Sequence, residues 1–229
     1  MVTKGQLLER PVIVPGPDGC LDGIFLRGAA AGVLVASPLP DAGGAMTNPL
    51  ANEVAYAAAY AGRASLRLDY RGVGASEGAR TSDLGALAAD LAAGADFVLE
   101  STRGASLVVV GIASGAWATL AFAAAEPRVD RVLLLNPPRR LGLPPGVPGY
   151  GALTQPLLIV LGDADPAVDP QAELLLTQEA GRGRVRVLPE AGPTLREALT
   201  DVSRLVTSFL GSERRPGGGA ADAPGAPPA

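Results

Sequence analysis

The stretch "VVVGIASGAW", residues 108–117, decides how this chain is read. Three valines leading to Gly111 have the character of a buried strand. Ala113, Ser114 and Gly115 make a sharp turn of small residues, and a helix opens directly after them. Strand, tight turn and helix in that order are the layout of a nucleophile elbow, G-x-S-x-G, which presents one side chain at the tip of the turn. Gly111 and Gly115 hold the two outer positions. Between them, where a serine would stand, is Ala113.

Working outward, the same alternation repeats. "PVIVP" (11–15) and "CLDGIFLRG" (20–28), joined by "GPDG", predict an antiparallel hairpin. "GVLVAS" (32–37) is a short buried strand ending at Pro38. The segment 48–62 predicts a helix, with Asn48 as N-cap, Pro49 at the first helical position and Gly62 just past the end. Strand 64–70, helix 82–101, strand 106–111, helix 114–126, strands 130–136 and 155–162, a helix at about 168–180, strand 184–189 and helix 194–210 complete the series. Val- and Leu-rich strands alternating with amphipathic helices imply a mostly parallel sheet covered on both faces. The Pro/Gly-rich stretch 137–154 is where a lid or cap would sit. Residues 1–211 are expected to form one domain, and 212–229 a disordered Pro/Gly/Ala-rich tail with almost nothing to bury.

Composition excludes several functions. The chain of 229 residues is 48% hydrophobic and 18% charged, with mean hydropathy +0.25 and net charge −4. An acidic chain lacks the basic face of a nucleic-acid binder. No run of about 18 apolar residues predicts a membrane span, and the start, MVTKGQLLERP, has no hydrophobic leader core. A lone cysteine, Cys20, forms no internal disulfide and fits a reducing compartment, so a cytoplasmic location is expected. There is no histidine. That rules out Ser-His-Asp and Cys-His chemistry within the chain, and zinc sites built from Cys and His. No cofactor and no metal are expected.

The ordered segments "SPLPDAGGAMTNPLANEVA", "RLDYRGVGASEG", "VVGIASGAWATLAFA", "NPP", "PLLIVLGDADPAV" and "VSRLVTSFL" resemble the alpha/beta hydrolases. They are most similar to a small bacterial subgroup with HPHP…GG…N and R-x-(N/D)-(F/Y)-R-G-V-G-x-S-x-G motifs. The resemblance implies an α/β fold with a mostly parallel central sheet of about eight strands and helices on both faces. It also implies where a triad would stand. Ala113 occupies the nucleophile's position, Asp165 in "GDADP" matches the acid, and Pro193 in "PEAGPTL" holds the histidine's place. Ser37 and Leu39 in "SPLP" replace both histidines of the oxyanion-region motif.

Ser114, next in line, is read as a helix N-cap or small packing residue, because one side chain alone occupies the elbow tip. A carboxylate with pKa near 4 would also be a poor base for it. Ordinary ester or peptide hydrolysis is therefore not expected. The leading expectation is a non-hydrolytic pseudoenzyme that binds a small apolar or acyl ligand, or a protein partner. Two alternatives stand beside it: a lyase, isomerase or cyclase using Asp165, or weak hydrolysis of small acyl substrates through Ser114.

The remaining motifs have structural readings. "RGVGASEG" has glycines one residue too widely spaced for a dinucleotide fingerprint. Asp163, Asp165 and Asp169 suit turns and helix caps better than a metal. "GRGRVRV" reads as an edge strand. Asp69 and Arg71 are expected to brace the loop after their strand by charge-assisted hydrogen bonds, and Trp117, Phe122, Tyr56 and Tyr60 to pack in the core.

Overall fold

In the computed structural model, which describes residues 7–138, 144–171, 174–175 and 183–211, the apolar runs form one eight-stranded sheet. The strands are β1 (Arg10–Gly16), β2 (Gly19–Leu26), β3 (Ala29–Ala36), β4 (Arg63–Leu68), β5 (Leu107–Ile112), β6 (Val129–Leu135), β7 (Leu157–Gly162) and β8 (Gly183–Leu188). Their spatial order is β1-β2-β4-β3-β5-β6-β7-β8. β1 pairs antiparallel with β2, and β2 antiparallel with β4. From β4 to β8 every pairing is parallel. The expected hairpin and parallel core are both present.

Among the described residues, four long helices cover the sheet: α1 (Pro49–Tyr60), α2 (Leu84–Thr102), α3 (Gly115–Ala125) and α4 (Leu199–Gly211). Their starts follow local chemistry. The Asn48 side chain accepts from Leu50 N–H at 2.9 Å with Pro49 behind it, and Asp83 accepts from Ala86 N–H at 2.7 Å. Such caps satisfy donors that the first helical turn leaves orphaned. The closing helix begins later than position 194. Leu195 takes a left-handed conformation (φ 50°), a single 3₁₀ turn follows at Arg196–Ala198, and the α-helix starts only at Leu199.

Alternate residues of each central strand serve opposite faces. Leu34, Val109, Leu134 and Ile159 pack with Leu87, Leu91 and Val98 of α2 and with α3. Val33, Val110, Leu133 and Val160 pack with Leu50 and Val54 of α1 and with Val202 and Val206 of α4. Both sheet faces are buried, which is why the strands read as unbroken apolar runs rather than alternating ones. β8 is one of the two edge strands, and it exposes Arg184 and Arg186 as its alternating charges suggest.

Three expectations change or fall away. Phe122 is buried and Tyr56 half-buried, but Tyr60 is 59% exposed and does not join the core. Of the helix expected near 168–180, residues 170–171 and 174–175 are helical, and the rest lies largely outside the described residues. The same holds for residues 139–143 of the lid stretch and for 212–229.

Asp69 and Arg71 do brace the loop, and they do more. Asp69 Oδ1 accepts from Met46 N–H at 2.6 Å, tying the β4 exit to the β3–α1 loop. Burial holds its carboxyl above the usual aspartate range, and the Asp22 charge adds to this, against the Met46 hydrogen bond. The native state thus keeps a proton that the unfolded chain sheds near pH 4, so this group's contribution falls as pH rises through the folded-state pKa. Asp69→Asn is expected to keep the Met46 bond and flatten the decline in urea-unfolding stability as pH rises above about 4. Identical slopes for the two proteins would refute it.

Candidate active-site region at the strand tips

The elbow forms where the sequence places it. Ala113 leaves β5 with φ 47°, a left-handed conformation that L-residues with a Cβ adopt only under local strain. Its N–H donates to Leu135 O at 2.8 Å, and its carbonyl accepts from Ala116 N–H at 3.0 Å. Both flanking glycines are sterically required. A Cβ on Gly111 would sit 2.5 Å from Thr119 Oγ1, and one on Gly115 would sit 2.1 Å from the Ser37 carbonyl oxygen. The turn therefore holds β5, α3 and the tip of β3 in close contact, with a methyl group at its apex.

Ser114 stands at the N-cap position of α3, but its hydroxyl makes no capping bond. It accepts instead from Leu39 N–H, at 3.0 Å, across 75 residues of sequence. This corrects the reading of Ser114 as an ordinary cap. The loop after β3 is one of the two places from which an elbow protein draws its oxyanion-binding N–H groups. Here the Leu39 donor is already engaged by an internal acceptor. Ser37, at the tip of β3, is buried, and its Oγ has no partner.

Asp165 and Pro193 come together through a residue the sequence reading passed over. Asn136 follows β6 with φ 52° and is 2% exposed. Its Nδ2 donates to Asp165 Oδ2 at 2.5 Å and to Pro193 O at 3.2 Å, while its Oδ1 accepts from Gly162 N–H at 2.8 Å. The other Asp165 oxygen accepts from Ala167 N–H at 2.8 Å. The carboxylate is thus held by amides from two directions, and Asn136 joins three separate strand-end loops. The asparagine in "NPP" was the only signal, and nothing in its local sequence points to Asp165 or Pro193.

Because two buried groups, the Asp165 carboxylate and the Gly162 N–H, depend on that one side chain, Asn136→Ala is expected to lower stability by about 2–4 kcal/mol. Chemical denaturation of the variant measures this. A loss under about 0.5 kcal/mol would mean the network is dispensable.

The neighbouring motifs are occupied structurally. In "RGVGASEG", Gly72 N–H donates to Glu77 O, and Ser76 Oγ donates to Asp69 O while accepting from Asp22 N–H. Glu77 and Cys20 exchange two bonds that fasten the loop to the hairpin turn, and Cys20 remains exposed. Asp163 accepts from Glu190 N–H, and Asp169 from Gln171 N–H, as turn residues do. Among the described residues no group of three or more His, Cys, Asp or Glu could hold a metal ion. Nor is any described helix long and apolar enough to cross a membrane.

Beside the elbow lies a cavity of about 480 Å³. Leu39, Leu84, Trp117, Pro138 and Pro144 give it a mainly apolar lining, to which Ser114, Asp41 and Ser82 add polar groups. Its size lies within the range of small-molecule sites.

A sheet of this order, with an elbow after β5 and an acid after β7, is the alpha/beta-hydrolase fold. The family model for serine aminopeptidase, S33, matches residues 43–150. Among solved structures, the chain is similar to an alpha-beta serine hydrolase homologue from Coxiella burnetii, with TM-score 0.77 and 23% identity over 88% of this chain and 97% of that one. It is also similar to the serine hydrolase without lid XC6422 from Xanthomonas campestris, with TM-score 0.74 and 26% identity over 88% and 93%. A dienelactone hydrolase from Anabaena variabilis has TM-score 0.70 and 23% identity over 90% and 97%. By sequence, an uncharacterized protein of Rickettsia prowazekii, RP471, is 27% identical over 127 residues, 54% of this chain. The matched stretch spans about half of that relative, 53% of its length.

Proposed function

We propose that this chain is a non-hydrolytic member of the alpha/beta hydrolase superfamily, a pseudoenzyme that binds a small apolar or acyl ligand in the cavity beside the elbow. The observation that carries the reading is the methyl group of Ala113 at the apex of an otherwise complete elbow. Three further features support it. Pro193 offers no base, the Leu39 N–H is engaged by Ser114 Oγ, and Asp165 is held by Asn136 and Ala167. The last feature also weighs against acid–base chemistry by Asp165, whose two oxygens are already committed. The apolar wall of the cavity favours a small ligand over a charged one.

Differential scanning fluorimetry against short-chain acyl esters and amides tests the reading. A ligand at tenfold its Kd is expected to raise Tm by about 3–6 °C. Trp117→Ala, which removes the largest side chain of the cavity wall, is expected to abolish that shift. No response to any acyl compound, beside a stable complex in pull-downs, would move the function to a protein partner.

A further inference from the structure

The opposite end of the sheet carries a second cleft, of about 610 Å³. Arg10 at the start of β1, Phe25 near the end of β2, Arg27 just beyond it and Ser101 in the last turn of α2 line it, with Pro11 and Val12. Leu26 pairs with Ser65 near the beginning of β4, so the cleft lies at the N-terminal ends of the parallel strands. The elbow lies at their C-terminal ends. The two sites are therefore separate.

Half-buried Arg10 and exposed Arg27 supply the positive charge of this cleft, in a chain of 23 acidic and 19 basic residues. Arg67, Arg71, Arg80, Arg128, Arg131 and Arg204 all have carboxylate partners. Among the described residues, the guanidinium groups of Arg10 and Arg27, like those of Arg103, Arg184 and Arg196, have neither an ion-pair nor a hydrogen-bond partner, but Arg10 and Arg27 alone of these face one cleft. Arg10 Nε is in addition buried without an acceptor. A buried charged donor is normally satisfied, and an orphan calls for a missing partner. Glu9, the acid beside Arg10, is engaged with Arg67 and Tyr56, and Glu100, beside Ser101, pairs with neither cleft arginine. The carbonyl end of α2 carries partial negative charge, so attraction for an anion must come from the two arginines.

The floor between them is apolar. Phe25 packs edge-on against Phe97 of α2, with ring centroids 5.6 Å apart, and Val12 lies alongside. Paired guanidinium groups are well suited to planar or tetrahedral oxyanions. We propose that this cleft binds a small organic anion, its carboxylate or phosphate held between Arg10 and Arg27 and its apolar body resting on Phe25 and Val12. The site is independent of the elbow cavity.

Isothermal titration calorimetry of the Trp117→Ala protein, in which the elbow cavity is not expected to take an acyl ligand, with octanoate, octyl phosphate, octanol and inorganic phosphate tests it. One of the two amphiphilic anions is expected to bind saturably at one site, and the tighter of the two identifies the headgroup. Octanol and inorganic phosphate should each bind at least about tenfold more weakly, since each lacks one half of the recognition. Arg10→Gln and Arg27→Gln, which keep most of the side-chain length, should each weaken binding about tenfold or more, with unchanged melting curves. Absence of saturable binding by both anions, equal binding of octanol, or undiminished binding by R10Q/R27Q would overturn the proposal.

Discussion

Asp90→Ala is expected to destabilise this protein by about 3–5 kcal/mol, the cost of breaking a buried ion pair from one side. Asp90 on α2 is fully buried, and it receives the Arg71 backbone N–H at 3.0 Å, Nε at 3.1 Å and Nη2 at 2.8 Å. Arg71 also donates to Ala86 O at 3.0 Å and to Asp18 of the hairpin turn. One guanidinium thus joins the β4 exit, α2 and the β1–β2 turn. Without Asp90, the one charged partner left to Arg71 among the described residues is Asp18, whose side chain is 60% exposed. Asp90→Asn preserves the shape and removes the charge, so it should lose roughly half as much. Urea unfolding of the two variants makes the comparison. Equal small losses would show that the pair is incidental.

Gly115→Val is expected to be comparably severe, at about 3 kcal/mol or more. The Cβ would fall 2.1 Å from a backbone oxygen, that of Ser37, which cannot swing aside as a side-chain tip would. Either β3 or α3 must move, and the Ser114–Leu39 hydrogen bond would break with it. Thermal unfolding should show the loss, and Gly115→Ala should show a smaller one. By contrast, Ala113→Gly relieves a left-handed L-residue and should be neutral or stabilising by up to about 1 kcal/mol. A stable Gly115→Val protein would mean that the elbow is looser than its geometry implies.

The fold was legible because its signals are local and repeated. Asn48-Pro49, Asp83 and the valine runs each act within a few residues, and their order alone leads to a parallel sheet with an elbow after a central strand. The identity of the residue at the elbow tip was equally legible, since the two outer glycines bracket Ala113. What lay beyond reach were partnerships between distant loops. Asn136, Asp165 and Pro193 meet across 57 positions, and Ser114 and Leu39 across 75. A serine before a helix reads as a cap because the nearest N–H groups are the usual donors. Only the close approach of β3 to the elbow offers it a better one. Tyr60 misled for a similar reason: it ends an apolar helix, yet it falls on the side of α1 that faces water. Arg67, nearly fully buried in β4 and paired with Glu9, drew no reading from the sequence, because its partner lies 58 residues away.

The central claim is that the elbow has the geometry of a catalytic turn without a nucleophile. Intact-mass spectrometry after incubation with a reactive fluorophosphonate tests it most directly, with a histidine-containing serine hydrolase as the positive control. The account predicts no adduct on this chain under conditions that label the control completely. A stoichiometric adduct that disappears in Ser114→Ala would contradict it, showing that Ser114 is an activated nucleophile rather than an acceptor for the Leu39 N–H.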